Sequence, residues 1–98
     1  MAKLAAQDHD ADFLEAFLAK TGHTHLRVRR RADLLTIESG PTDDPHAHAR
    51  FRRVTVHYWR LEMPNRSGKW DLTPFRGLLA DVQALLVDSF PWVMAPLE

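Results

Sequence analysis

The stretch of sequence that decides the fold is Tyr58-Trp59-Arg60-Leu61-Glu62-Met63. Apolar and polar side chains alternate along it, and this alternation indicates a β-strand with one buried face. Trp59, Leu61 and Met63 are expected to point into the core. Arg60 and Glu62 are expected to point outward, so the strand predicts a sheet with one apolar face and one charged face.

Further runs of β-forming residues lie on both sides of this strand. Only residues 30–33 separate the first two, so we expect them to form a hairpin. In the third run the alternation slips, which predicts either a bulge near Arg52-Arg53 or a turn near residues 55–57. Short connections favour an antiparallel meander of four to five strands. The runs cover residues 25–29, 34–38, 49–56 and 69–72.

A helix is predicted ahead of the sheet, within residues 1–22. Asp8 or Asp10 is expected to cap its start, and Gly22 stands where a helix commonly ends. Its apolar residues recur at the spacing of one helical face, at Phe13, Leu14, Phe17 and Leu18.

A second, amphipathic helix is predicted over residues 73–90. Thr73 suits the N-cap position, Pro74 suits the first helical position, and Pro91 ends the helix. Its apolar face comprises Phe75, Leu78, Leu79, Val82, Leu85, Leu86 and Phe90, and its polar face comprises Asp81, Gln83 and Asp88.

The element order predicts a single α+β domain covering residues 1–98, with the second helix packed on one face of the sheet. The chain contains no cysteine, which excludes disulfides and Cys-ligated zinc. It has neither a signal-peptide pattern nor an apolar run long enough to span a membrane, so we expect a cytoplasmic protein with no membrane partner. The predicted segments are the N-terminal helix (1–22), the sheet (23–72), the C-terminal helix (73–90) and an apolar tail (91–98).

Charge is distributed unevenly along the chain, although the formal net charge is zero. Residues 1–22 carry a net charge of −2, residues 23–69 a net charge of +5 and residues 70–98 a net charge of −3. Ten of the thirteen basic residues are arginines, whose forked donors suit phosphate and carboxylate. The basic charge therefore belongs to the predicted sheet.

The outward side chains of that sheet form the main candidate site. Positive charge follows a nucleic-acid backbone and an aromatic ring stacks on bases, so this set predicts binding of single-stranded nucleic acid or another anionic partner. In the alternative interpretation, Glu38 and Glu62 pair with the arginines across strands and the face is simply solvated. The candidate residues are Arg27, Arg29, Arg52, Arg60 and Tyr58.

Two His-x-His pairs are weak candidates for metal binding, because residues i and i+2 of a strand point to the same side. No carboxylate is spaced to complete a known metal signature, so we predict neither a metal site nor a cofactor. The chain also lacks a nucleophile beside a base and a glycine-rich phosphate loop, so we predict a non-enzymatic protein. The four histidines are His23, His25, His46 and His48.

The apolar tail suggests an alternative function as an interaction or assembly module. Exposed apolar patches usually mark interfaces, and a homodimer formed by the C-terminal helix and the tail is one such arrangement. The alternative partner is then an acidic protein or a second copy of the chain. The predicted interface residues are Trp92, Val93, Met94 and Leu97.

Two known families have a similar order of elements. The double-stranded-RNA-binding domain also runs helix, three strands, helix, but it carries a lysine cluster where this chain has Thr73-Pro74-Phe75-Arg76-Gly77. Four strands followed by a helix resembles the small single-strand-DNA-binding transcriptional coactivators, which dimerise through that helix. The second resemblance lies in element order and a Trp-rich final hairpin, and by analogy it implies nucleic-acid binding.

Overall fold

The computed structural model of the protein describes residues 4–94 and contains a five-stranded antiparallel sheet with a helix on either side of it in sequence. The strands follow one another in the order β1-β2-β3-β4-β5, which is the predicted meander. The elements are α1 (Asp8–Lys20), β1 (Arg27–Arg31), β2 (Leu34–Ser39), β3 (His46–Arg53), β4 (Trp59–Pro64), β5 (Trp70–Gly77), α2 (Leu79–Ser89) and a C-terminal 3-10 helix (Pro91–Met94).

Both helices pack on the same face of the sheet and share one apolar core with it. α1 contacts β1, α2 contacts β4 and β5, and the two helices also touch each other. Within residues 4–94 the other face of the sheet carries no helix, and it is called the open face below. The most deeply buried side chains are Leu14, Leu18, Leu35, Ile37, Phe51, Leu61, Leu86 and Met94.

The N-terminal helix is confirmed, but its cap differs from the prediction. Gln7, not Asp8 or Asp10, is the N-cap residue. The Asp10 carboxylate instead accepts a hydrogen bond from the backbone N–H of Gln7 at 2.9 Å, because it reaches back over the first turn. At the other end Gly22 has φ of +91°, the left-handed conformation predicted for the residue after a helix.

The hairpin formed by β1 and β2 is confirmed, with Arg29 paired with Thr36 at its centre. β1 is an edge of the sheet, and α1 covers part of that edge: the Glu15 carboxylate accepts a hydrogen bond from the backbone N–H of Val28 at 3.1 Å. This contact satisfies a backbone donor that an open edge strand would otherwise leave unpaired.

The slip of alternation in the third run has two separate causes. β3 ends at Arg53, and the chain turns there, with the carbonyl of Tyr58 accepting a hydrogen bond from the Val54 N–H at 2.8 Å. The predicted turn is therefore the correct alternative and the bulge near Arg52-Arg53 is wrong. A bulge occurs earlier in the strand, because Ile37 pairs with Ala49 while Glu38 pairs with Ala47, which leaves His48 as the extra residue.

The start of the C-terminal helix is a second correction. Residues 73–77 belong to β5, where Gly77 pairs with Trp59, and the helix begins only at Leu79. Pro74 lies at an irregularity in the register of this edge strand, where the lack of a backbone N–H costs no ladder hydrogen bond. The Thr73 hydroxyl donates to the Leu61 carbonyl at 2.7 Å across the same irregularity instead of capping a helix.

The apolar face of α2 is also narrower than predicted. Leu79, Val82 and Leu86 are buried, but Leu78 is the N-cap residue and is 48% exposed. Gln83, which the periodicity assigns to the polar face, is buried toward α1 because two helices, and not the sheet alone, pack around it. Among residues 4–94, no helix combines the length and the apolar character needed to cross a membrane.

Candidate anion-binding sheet face

The open face carries the side chains of alternate residues in every strand. Strand pairing places Arg27 opposite Glu38, Arg50 opposite Glu62 and Arg60 opposite Arg76 on this side of the sheet. Seven arginines lie there against the carboxylates of Asp33, Glu38 and Glu62, an excess of four positive charges. The arginines are Arg27, Arg29 and Arg31 from β1, Arg50 and Arg52 from β3, Arg60 from β4 and Arg76 from β5.

A buried carboxylate lies at the centre of the face. Glu62 is fully buried although its strand parity points it away from the core, because two neighbouring arginines of β3 cover it. Arg50 donates from Nε to one carboxylate oxygen, and Arg52 donates from Nε to the other at 2.8 Å. Arg52 also donates to Asp33 at 3.2 Å. The hydrogen bond and charge of Glu62 raise the pKa of Arg52. The carboxylate of Glu62 holds both arginines in place.

Arg27 is held at the edge of the face by a separate set of acceptors. Its Nε donates to Glu38 at 3.2 Å, and its two terminal nitrogens donate to the carbonyls of Gly40 and Pro41 at 2.6 and 3.5 Å. The guanidinium of Arg27 therefore fastens the loop after β2 to the sheet. Arg27 and Arg52, two of the four predicted phosphate contacts, are both held by acceptors within the protein.

The other arginines of the face are not engaged in this way. Within residues 4–94, none of them forms a side-chain hydrogen bond or an ion pair with a carboxylate. Two lie on β1, at one edge of the sheet, and two lie on the last two strands, at the opposite edge. The unpaired arginines are Arg29, Arg31, Arg60 and Arg76.

Shallow cavities accompany the unpaired arginines. One, of about 300 Å³, extends from Arg29 and Arg31 on β1 across the face to Trp70 on β5. A second, of about 330 Å³, is lined by Arg60, Arg76 and the irregular part of β5. Guanidinium groups with their donors free at the rim of a cavity can bind phosphate or carboxylate oxygens.

Aromatic rings lie at two places beside this face. The guanidinium carbon of Arg50 lies 4.3 Å from the centre of the Trp70 ring, a cation–π distance. Tyr58 lies in the turn between β3 and β4, is 53% exposed and lines a cavity of about 360 Å³ together with Arg76. The predicted stacking residue is therefore beside an unpaired arginine, at the end of the face.

The two sides of the molecule carry opposite charge. The helices hold six carboxylates against Lys20 as their one Lys or Arg residue, whereas the open face holds the excess of arginines. The electrostatic potential is consequently more favourable to an anion over the open face than over the helices. The helical carboxylates are Asp8, Asp10, Asp12, Glu15, Asp81 and Asp88.

The two His-x-His pairs, 21 residues apart in sequence, come together on the helical side, beside the start of β3 and the end of β2. The ring centres of His46 and His48 are 4.8 Å apart, those of His25 and His48 are 6.4 Å apart, and those of His23 and His25 are 6.2 Å apart. Across residues 4–94, no group of three or more His, Asp or Glu side chains is arranged to hold a metal ion. We call these four residues the histidine cluster.

Half of the ring nitrogen atoms of the histidine cluster, four of eight, form hydrogen bonds within the described residues. His48 contacts the Val93 carbonyl through Nδ1 and the Ser39 hydroxyl through Nε2, both at 2.7 Å. His25 contacts the Met94 carbonyl through Nε2 at 2.8 Å. Burial lowers the pKa of His48, an effect that the neighbouring imidazoles reinforce and the bond to Val93 opposes; burial and His25 also lower the pKa of His23.

The predicted interface residues fall into different environments. Met94 is fully buried and Val93 is half-buried, so both pack on the protein itself. Trp92 is 67% exposed and its ring centre lies 5.7 Å from that of Phe90. Leu97 lies outside the described residues. Trp92 is therefore the member of this set that is available to a partner.

Sequence reasoning missed two of the unpaired arginines. Arg31 has the same strand parity as Arg27 and Arg29, so extending the first strand by two residues would have found it. Arg76 was assigned to a helix, and no local signal places it in a strand, because Thr73-Pro74 is as typical of a helix start as of a bulged edge. Comparisons of the chain with protein-family models, with curated proteins and with solved structures found no match.

Proposed function

We propose that the protein is a non-enzymatic binding domain whose open face engages single-stranded nucleic acid. The observation that carries the proposal is the group of four unpaired arginines, two at each edge of the face. Phosphate contacts from arginine supply most of the sequence-independent affinity for a nucleic-acid backbone. The excess of positive charge on this side, and the acidic helices on the other, favour one orientation of the bound strand.

The arginines of the face divide into two groups with different roles. Arg27, Arg50 and Arg52 are held by carboxylates and carbonyls, so they keep the middle of the face rigid. The unpaired arginines at the edges are the phosphate contacts. Because the central arginines are already held in place, only the unpaired arginines at the edges must be immobilised when the ligand binds. This arrangement lowers the conformational entropy that is lost on binding.

The width of the face favours a single strand over a duplex. Five strands at about 4.8 Å spacing place β1 and β5 about 19 Å apart. The major groove of B-DNA is about 12 Å wide and admits a helix or a two-stranded ribbon, so a five-stranded face does not enter it. A flexible single strand can cross the face from one arginine pair to the other, with Tyr58 beside Arg76 offering a ring for one base.

Fluorescence anisotropy with labelled oligonucleotides tests this function. We expect a labelled 12-nucleotide DNA or RNA single strand to bind at 50 mM salt, and a duplex of the same length to bind more weakly. Four phosphate contacts predict a slope of log K against log salt concentration of about −3, from about −0.7 per contact for single strands. Absence of binding to every single-stranded probe at 50 mM salt would refute the proposal.

A second candidate function is self-assembly through the apolar surface beside β5. Phe75, Phe90 and Trp92 form a row with ring centres 5.8 and 5.7 Å apart, and Phe75 and Trp92 are exposed at its ends. β5 is an edge strand next to this row, so a two-fold contact between copies would cover both. Light scattering tests it: a dimer that Trp92→Ser converts to a monomer supports assembly, and a monomer at high concentration contradicts it.

A further inference from the structure

Two imidazoles of the histidine cluster bind the C-terminal 3-10 helix. Two consecutive carbonyls of this helix, those of Val93 and Met94, are bound by imidazoles from two different parts of the chain. His25 comes from the segment before β1, and His48 is the bulged residue of β3. Met94 itself is fully buried, so these two hydrogen bonds hold a core side chain in place.

The acceptors fix the protonation pattern of both rings. A carbonyl only accepts hydrogen bonds, so Nδ1 of His48 and Nε2 of His25 must each carry a proton. The Nε2 atom of a neutral His48 therefore accepts a hydrogen bond from the Ser39 hydroxyl. Adding a proton to His48 places it on Nε2, so the Ser39 oxygen must then accept instead of donating, and the ring becomes charged while it is 3% exposed.

No carboxylate among the described residues compensates such a charge, and the Val93 carbonyl, which accepts from Nδ1, offsets it only in part. The groups that face His48 are His46 from β3, His25 and His23 from the segment before β1, and the uncharged Ser39 from β2. The 3-10 helix contributes no titratable side chain from Pro91 to Met94. Glu38, which precedes Ser39 and pairs with Ala47 across the strands, is bound to Arg27 on the open face.

In the described part of the chain, no imidazole of this cluster lies within ion-pair distance of a carboxylate. Among residues 4–94, the one imidazole within ion-pair distance of a carboxylate is that of His9, which lies in α1 beside Asp10. Protonation of the cluster therefore places positive charges on neighbouring rings whose centres are 4.8 to 6.4 Å apart, and no carboxylate of the described residues lies beside these rings to pair with them. Like charges at these distances repel, and the repulsion falls if the 3-10 helix leaves and water reaches the rings.

We propose that the histidine cluster is a pH-sensitive clasp, which holds the C-terminal 3-10 helix on the sheet when its imidazoles are neutral and releases it when they are protonated. Release frees Val93 and Met94 and moves Trp92 away from Phe90. The device is independent of the open face, which lies on the other side of the sheet. The proposal therefore stands whether or not the face binds nucleic acid.

Nuclear magnetic resonance of the full chain between pH 8 and pH 5 tests the clasp. We expect the backbone amide signals of Val93 and Met94 to move toward random-coil positions as the His48 ring titrates, below the usual histidine value of about 6.5. The amide signals of Leu35 and Ile37 in the core of β2 should keep their dispersed positions over the same range. Their simultaneous collapse would contradict a local clasp, and folded signals of Val93 and Met94 at pH 5 would contradict any clasp.

Matched variants assign the transition to the cluster. In His48→Gln the side chain keeps a donor and an acceptor but does not titrate. The pH-dependent change in the Met94 amide signal should therefore be lost, or its midpoint should move by at least one pH unit. His57→Gln is the control, because His57 is an exposed residue of the turn between β3 and β4, and it should behave as the unaltered protein does. If His48→Gln fails to fold, His25→Gln replaces it, and an unchanged transition in that variant overturns the proposal.

Discussion

Arg50 lies over the ring of Trp70, with its guanidinium carbon 4.3 Å from the ring centre, while its Nε donates to the buried carboxylate of Glu62. The guanidinium is therefore held from two sides in the middle of an otherwise exposed sheet face. A side chain fixed in this way shapes the surface, and its Nε donor is taken by Glu62. This relationship separates the structural arginines of the face from those that remain available.

Glu62→Gln should destabilise the protein strongly, because it leaves Arg50 and Arg52 without the charge that neutralises them. Breaking a buried ion pair by removing one partner typically costs about 3–5 kcal/mol. Since the two arginines are partly exposed, we expect a loss of about 2–3 kcal/mol in the free energy of unfolding, measured by urea denaturation followed by circular dichroism.

Glu38→Gln is the matched control for this variant. It also removes one carboxylate from the face, but its partner Arg27 keeps the carbonyls of Gly40 and Pro41 as acceptors. We expect it to cost about 1 kcal/mol or less. Equal losses for the two variants would show that the Glu62 network has no special role.

The contact between Arg50 and Trp70 should give a measurable coupling energy. Cation–π pairs at partly exposed sites contribute about 0.5–1 kcal/mol. A double-mutant cycle with Arg50→Met and Trp70→Leu, again from urea denaturation, should yield a favourable coupling of that size. A coupling indistinguishable from zero would mean that the ring and the guanidinium are adjacent without stabilising one another.

Stability should fall in mild acid through His48. Burial lowers the pKa of His48 in the folded state, so between the folded and unfolded values the unfolded chain binds the proton more readily. The contribution of neutral His48 to the free energy of unfolding is then complete above about pH 6.5, and it declines as the pH falls through the pKa of His48 in the folded state. We expect a lower free energy of unfolding at pH 5.5 than at pH 7.5, with the difference reduced in His48→Gln and unchanged in His57→Gln. An equal pH dependence in all three proteins would exclude His48 as its source.

Gly22→Ala should destabilise the protein through the backbone alone. Gly22 has φ of +91°, and an added Cβ would meet no atom within 4 Å, so steric clash with neighbours plays no part. Left-handed backbone costs an L-residue about 1–2 kcal/mol, and we expect a loss of about 1 kcal/mol at the end of α1. Thermal denaturation should show a lower midpoint for this variant. No change in the midpoint would indicate that α1 ends in another conformation in solution.

Local sequence signals predicted the parts of the fold that depend on local chemistry. The alternation around Leu61 specified β4, the spacing of Leu14 and Leu18 specified α1, and Gly22 marked the end of that helix. Each of these features is set by residues close together in the chain, so periodicity and backbone preference were sufficient. The start of α2 was not predictable in this way, because Thr73 and Pro74 suit two local structures and pairing with β4 decides between them.

The candidate site depended more strongly on tertiary structure. The outward arginines followed from strand parity, but the burial of Glu62 requires Arg50 and Arg52 to approach it from the neighbouring strand. The histidine cluster likewise requires β3 to carry His48 as an extra residue beside the segment that contains His25. Contacts between residues distant in sequence produce both features, and no local pattern contains that information.

The central claim, that the unpaired arginines of the open face bind a nucleic-acid strand, is tested most directly by comparing two charge reversals of the same size. Arg60→Glu changes the open face, and Lys20→Glu makes an equal change on the exposed end of α1, on the helical side. In anisotropy titrations with a 12-nucleotide single strand at 50 mM salt, we predict that Arg60→Glu weakens binding at least tenfold and makes the salt slope shallower by about 0.7, as expected for one lost phosphate contact. Lys20→Glu should leave the salt slope unchanged and affect affinity less than threefold. Equal weakening by the two variants would contradict the account, because the attraction would then come from net charge and not from this face.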